Sequence, residues 1–134
     1  MRKIDTIIIH CSASDRKEAD DIGVIRKWHT DKGWDDVGYH YFIKSDGEVQ
    51  VGREHKKIGA HALKYNAESL GICLHGLHAE DFTDEQFEAC ASLCDDLIDK
   101  YNIKSIIPHN FVANKKCPVF NVPKEIYRRL GKCN

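Results

Sequence analysis

The sequence has no long apolar run, no internal repeat, no low-complexity tract and no linker rich in proline or glycine. Without an apolar run near the length of a membrane span, stable insertion in a bilayer is excluded as a reading. Without a linker, 134 residues read as one domain spanning 1–134, long enough to bury a core without disulfide staples. Charge of one sign is also missing. Twenty Lys and Arg against 21 Asp and Glu leave a formal net charge of −1. That balance gives no electrostatic footprint for nucleic acid. The start, "MRKIDTIIIH", has a basic front, but Asp5 breaks its apolar run, so it reads as a strand and not as a secretory leader. The expected place of synthesis is the cytoplasm, and the expected state a monomer.

Cysteine, by contrast, is abundant: Cys11, Cys73, Cys90, Cys94, Cys117 and Cys133. An even count invites a disulfide framework, but a chain of this size without a leader has no need of one. Cys90 and Cys94 lie on the apolar face of a helix and read as small core hydrophobes, as does Cys73 in a strand.

Ile4 to Ile9 is β-branched and flanked by charge, which predicts a central strand. "DIGVIRKWHTDKGW" sets Ile22, Ile25, Trp28 and His29 at helical spacing and stops at Gly33. "YHYFIKSDGEVQVG" predicts a hairpin around Asp46-Gly47. Ser69 to Leu74 is an apolar strand. "TDEQ" from Thr83 is a capping box, with Phe82 and Phe87 at the staple positions. Behind it Phe87, Cys90, Ala91, Cys94, Leu97, Ile98 and Tyr101 form one stripe. "SIIP" predicts a short buried strand. A last helix after Pro123 turns Ile126, Tyr127 and Leu130 inward and stops at Gly131. The fold class that follows is mixed α/β of the α+β type: a central mixed sheet with helices on both faces.

His10 ends the first strand and His109 follows the last, so neighbouring strands can bring them together. Cys117 lies on the loop that His109 opens. Two imidazoles and a thiolate make a three-ligand zinc set with one position left open, the mark of a catalytic site. With eight histidines in the chain, spacing alone also fits a capped strand end, a surface histidine and a buried thiol.

"IIIHCSAS", "IRKWHTDKGWDDVGYHYFIKSDGEVQVGR", "IGAHALKYNAESLGICLHG" and "PHNFVANKKCP" occur in that order. Together they resemble the type 2 N-acetylmuramoyl-L-alanine amidases, a family that includes short phage endolysins and the peptidoglycan recognition proteins. The resemblance runs from about Ile4 to Phe120. It implies a Zn2+ cofactor on His10, His109 and Cys117, a catalytic tyrosine at Tyr39, a catalytic lysine at Lys115 and a substrate-groove histidine at His61. It implies hydrolysis of the amide between N-acetylmuramic acid and L-alanine, with peptidoglycan or a muropeptide as the partner. A wall-lysing enzyme made without a leader would reach its substrate through a membrane-permeabilising partner. Other members of the family bind peptidoglycan without cleaving it, recycle muropeptides in the cytosol, or also bind a polymerase. His29 and His40 lie in matched motifs and read as packing residues. His55, His75 and His78 carry no assignment. No carboxylate in the motifs stands out as a general base, and the paired carboxylates of glycosidases are missing.

Overall fold

A computed structural model describes residues 2–131, which leaves Cys133 outside the described residues. Five strands form one sheet: β1 (Thr6–Cys11), β2 (Tyr41–Ile43), β3 (Val49–Val51), β4 (Ser69–Leu74) and β5 (Ser105–Pro108). Their order is β3-β2-β4-β1-β5. β1 runs parallel to both β4 and β5, β2 runs parallel to β4, and only β3 is antiparallel. The sheet is therefore mixed, as the alternation of strand and helix patterns predicts. The β2–β3 hairpin turns at Gly47, whose φ of +90° lies in the left-handed region that favours glycine.

Successive side chains of a strand point to opposite faces, and each face has its own helix. Ile7, Ile9, Leu70, Ile72 and Leu74 face α2 (Asp84–Lys100), which contributes Phe87, Cys90, Ala91, Cys94 and Leu97. On the other face Phe42 and Cys73 meet Ile22 and Ile25 of α1 (Ile22–Asp31). The Thr83 capping box forms as predicted, with Gln86 reciprocating. The Phe82 and Phe87 rings lie 6.4 Å apart, and Phe120 packs against both. Gln86 is fully buried because its amide donates to the carbonyls of Ile43 and His75, tying α2 to the ends of β2 and β4.

Three expectations change. The first strand begins at Thr6 and extends through Cys11, although Ile4 is buried beside it. "SIIP" is the edge strand β5, and of its residues only Ile106 is buried. An edge position has one pairing partner, and it tolerates Pro108, which has no N–H to give. The last helix breaks into one turn of α-helix, α4 (Val122–Glu125), and a 3-10 turn, Tyr127–Arg129. Ile126 and Leu130 are buried there, but Tyr127 is exposed, and Gly131 does not take the left-handed conformation of a helix stop. The Tyr127 hydroxyl instead reaches the Ile106 carbonyl at the sheet edge.

His40, fully buried before β2, follows the packing expectation. The Gly71 N–H donates to its Nδ1 at 3.1 Å, so Nε2 carries the proton and donates to the Lys57 carbonyl at 2.9 Å. Burial holds this imidazole down at about 4, with help from the Arg2 charge and against the pull of the Lys57 carbonyl. Unfolded histidine titrates near 6.5. The stabilisation is thus complete above roughly pH 6.5 and is lost as pH falls toward 4, at up to about 1.4 kcal/mol per pH unit. His40→Asn keeps an acceptor near the Gly71 N–H but cannot titrate. In urea unfolding it should lose less stability than wild type between pH 7 and pH 4.5. Parallel pH profiles for the two proteins would show that His40 does not carry this dependence.

Candidate active site

The parallel register of β1 builds the site. Ile9 is level with Pro108 on β5, so the next residues, His10 and His109, fall side by side. Their rings stand 4.4 Å apart between centroids. His109 opens a single helical turn, α3 (His109–Val112), and the chain then loops back to Cys117. The loop is held by Asn110, which donates to the Pro118 carbonyl at 3.4 Å. Cys117 lands on β1, where the Cys11 N–H donates to its Sγ at 3.0 Å. One ligand atom from each of His10, His109 and Cys117 lies within 4.8 Å of the others.

These three side chains form part of the wall of a cleft of about 720 Å³ on the α1 side of the sheet. Tyr39, His61 and Lys115 line the same cleft, so all six residues singled out in the sequence meet there. Tyr39 is partly buried, its ring 5.1 Å from that of His10. Lys115 is exposed on the loop that carries Cys117. His61 lies over β4, with its Nδ1 2.9 Å from His10 Nε2. His55, His75 and His78 do not line this cleft.

Burial sets the charge state of the site. Desolvation, then the neighbouring His61, His109 and Lys115, holds His10 far below its ordinary value. Burial, with Lys115 adding to it, also lowers His109, and burial takes His61 to about 3. All three imidazoles are neutral at pH 7 and each keeps one lone pair. Burial, with the thiols of Cys73 and Cys117 nearby, pushes the Tyr39 phenol well above its usual value, so it remains an O–H donor. A thiol–thiol hydrogen bond with Cys117 draws the Cys11 thiol below its usual value. The backbone N–H aimed at Cys117 Sγ favours negative charge on that sulfur.

Several features escaped the motifs. Cys11 is the immediate neighbour of Cys117, and His29, read as packing, also lines the cleft while accepting the Gly38 N–H on Nδ1 at 2.8 Å. Trp28 is half-exposed and lines the cleft instead of filling the core. Gly71 is the floor under His61: a Cβ there would come within 2.6 Å of the His61 ring. A glycine inside a strand is a signal of such close approach.

Two neutral imidazoles and a thiol that could hold a metal ion, with a phenol and a lysine around the same cleft, are a donor set suited to hydrolysis. Comparison with known proteins gives the particular family. The family model described as N-acetylmuramoyl-L-alanine amidase (Amidase_2) matches residues 1–120, and the chain belongs to this family. The family's activity, hydrolysis of the amide joining N-acetylmuramic acid to L-alanine in peptidoglycan, is its activity. The endolysin of Escherichia phage T7 is 41% identical over 128 residues, covering 90% of this chain and 83% of that protein. Peptidoglycan-recognition protein SC2 of Drosophila melanogaster is 35% identical over 107 residues, covering 76% and 58%. Among solved structures, the N-acetylmuramoyl-L-alanine amidase LysC from Clostridium intestinale superposes with a TM-score of 0.87 at 30% identity, covering 96% of this chain and 85% of that one.

Gly71→Ala should destabilise the protein by about 1–3 kcal/mol, the usual cost of overpacking. It should also shift the His61 ring resonances, as seen by urea unfolding and NMR. Unchanged stability and spectra would mean that the His61 ring does not rest on Gly71.

Proposed function

We propose that the amidase works with one zinc ion held by His10, His109 and Cys117, with Tyr39 and Lys115 acting on the reacting amide and His61 lining the substrate groove. The observation that carries this reading is the convergence of two neutral imidazoles and one sulfur within 4.8 Å at a cleft that also holds a phenol and an amine. The donor set fits: nitrogen and sulfur ligands without a carboxylate suit zinc, and three protein ligands leave a position for water or substrate. A zinc ion bound there would supply electrophilic polarisation of the scissile carbonyl and activation of water.

The chain's own residues do the rest. Tyr39, kept protonated by burial, donates its O–H toward the oxyanion that develops on the carbonyl oxygen. Lys115, exposed on the cleft wall, brings a positive charge to the same region. The cleft holds the glycan–peptide junction and orients its amide toward these groups. The enzyme acts on the cell wall, and no helix among the described residues is long and apolar enough to cross a membrane. A single domain working as a monomer completes the reading.

Elemental analysis of protein purified without chelator should find one zinc per chain. Chelation should abolish activity and added zinc restore it, whereas full activity in metal-free protein would sink the proposal. Digestion of peptidoglycan should release new amino groups on L-alanine without new reducing sugar ends. Running intact walls beside soluble muropeptides separates wall lysis from recycling.

Tyr39→Phe and Lys115→Ala should each lower kcat by tenfold or more, on the order of what the loss of one oxyanion donor costs. Both should keep zinc and fold normally. Cys117→Ala should lose metal affinity and still fold, because the core does not depend on this side chain. Near wild-type turnover in both Tyr39→Phe and Lys115→Ala would remove these residues from the mechanism.

A further inference from the structure

His10 makes a side-chain hydrogen bond to His61, and that contact leads away from the cleft in three steps. His10 Nε2 lies 2.9 Å from His61 Nδ1. His61 Nε2 lies 3.3 Å from Ser69 Oγ. Ser69 Oγ lies 2.7 Å from the backbone carbonyl of Tyr65. His10 and Ser69 are both about 1% exposed, so the inner links are shielded from water.

A carbonyl oxygen can only accept, so the Tyr65 contact takes the one hydrogen that Ser69 has. Ser69 Oγ must then accept from the ring beside it, and the proton of His61 sits on Nε2. An imidazole of ordinary basicity is neutral at pH 7 and carries a single N–H. The Nδ1 of His61 is therefore a bare acceptor, and the 2.9 Å contact must be donated by His10 Nε2–H. His10, with its one N–H on Nε2, is left with its lone pair on Nδ1.

We infer that His61 and Ser69 are positioning residues for the metal, a chain running from the Tyr65 carbonyl that fixes the tautomer of His10 and presents Nδ1 as its ligand atom. The inference rests on the reading of His10, His109 and Cys117 as the metal site. It gives His61 a role besides lining the groove. It also gives a purpose to the closeness of His61 and Gly71: the ring must lie flat enough on β4 to reach Ser69 on one side and His10 on the other. Histidines that bind metals commonly donate their second N–H to a carbonyl or carboxylate, which orients the ring and raises its basicity. Here another histidine takes that place and passes the constraint to a carbonyl further along the chain.

The test begins with metal-free, ¹⁵N-labelled wild-type protein at pH 7. Long-range ¹H–¹⁵N spectra should show both His10 and His61 with the proton on Nε2 and a bare Nδ1. A proton on His10 Nδ1 would overturn the inference, whatever the metal does. Zinc affinity, measured by competition with a chromophoric chelator, supplies the second arm. His61→Leu, which cannot accept from His10, should lose 10–100-fold in affinity, as other removed outer partners do. His61→Asn offers an amide oxygen near the position of Nδ1 and should recover most of that loss. Equal affinity for wild type and the leucine variant, or no recovery with asparagine, would show that the chain does not hold the ligand. If wild type binds no zinc at all, the metal reading fails, and the tautomers in the metal-free protein still report on the chain.

Discussion

Parallel pairing on both edges of β1 is the constraint on which the rest of the molecule depends. β4 lies on one side and β5 on the other, each in parallel register with β1. One consequence is chemical: His10 is flanked across the pleat by Cys73, and the residue after Pro108 is brought level with it. The other is spatial. A strand buried between two partners holds its side chains to within the tolerance of the backbone hydrogen bonds. A site built on its end inherits that precision, which a site on loops alone would lack. Cys117 and Lys115 share one loop, and the bond from the Cys11 N–H to Cys117 Sγ pins that loop back to the same strand.

The second organising force is desolvation without countercharge. Among the described residues no carboxylate lines the cleft, and the imidazoles that line it lie next to one another and near a lysine. Each of these effects disfavours the imidazolium form. Lone pairs are therefore available at neutral pH, and the hydrogen-bond partners of each ring decide which nitrogen bears the proton. His40 accepts from Gly71 N–H and His29 from Gly38 N–H, so the same device recurs away from the candidate ligands. In both cases the histidine serves as a shaped acceptor for a backbone N–H that would otherwise be buried unpaired.

Features governed by neighbours in sequence were legible in advance. The capping box at Thr83, the glycine turn at Gly47 and the limits of β4 depend on a few adjacent residues, and they appear where the patterns place them. Strand order is a different matter. Nothing within "SIIP" says whether one or two strands will pair with it, and so its edge position was not legible. The segment after Pro123 has a helical apolar period, yet the bond from Tyr127 to the sheet edge competes with helix continuation. In the site, the motif order carried His10, Tyr39, His61, His109, Lys115 and Cys117 into one cleft. Cys11 and Ser69 gave no signal, because their roles come from partners across the sheet or on another loop. Gly71 did give one, since a glycine within an apolar strand has a steric reason.

The order of strands along the chain has a consequence for how the protein is made. β1 leaves the ribosome well before β5, yet they are neighbours in the sheet. Until β5 is synthesised, one edge of an apolar strand stays open, with His10 at its end and no His109 beside it. Vectorial translation thus separates the making of His10 from that of His109, although the two side chains end up in one cleft. A growing polypeptide presents no assembled cleft, and wall-degrading capacity switches on only when β5 and the loop after it dock beside β1.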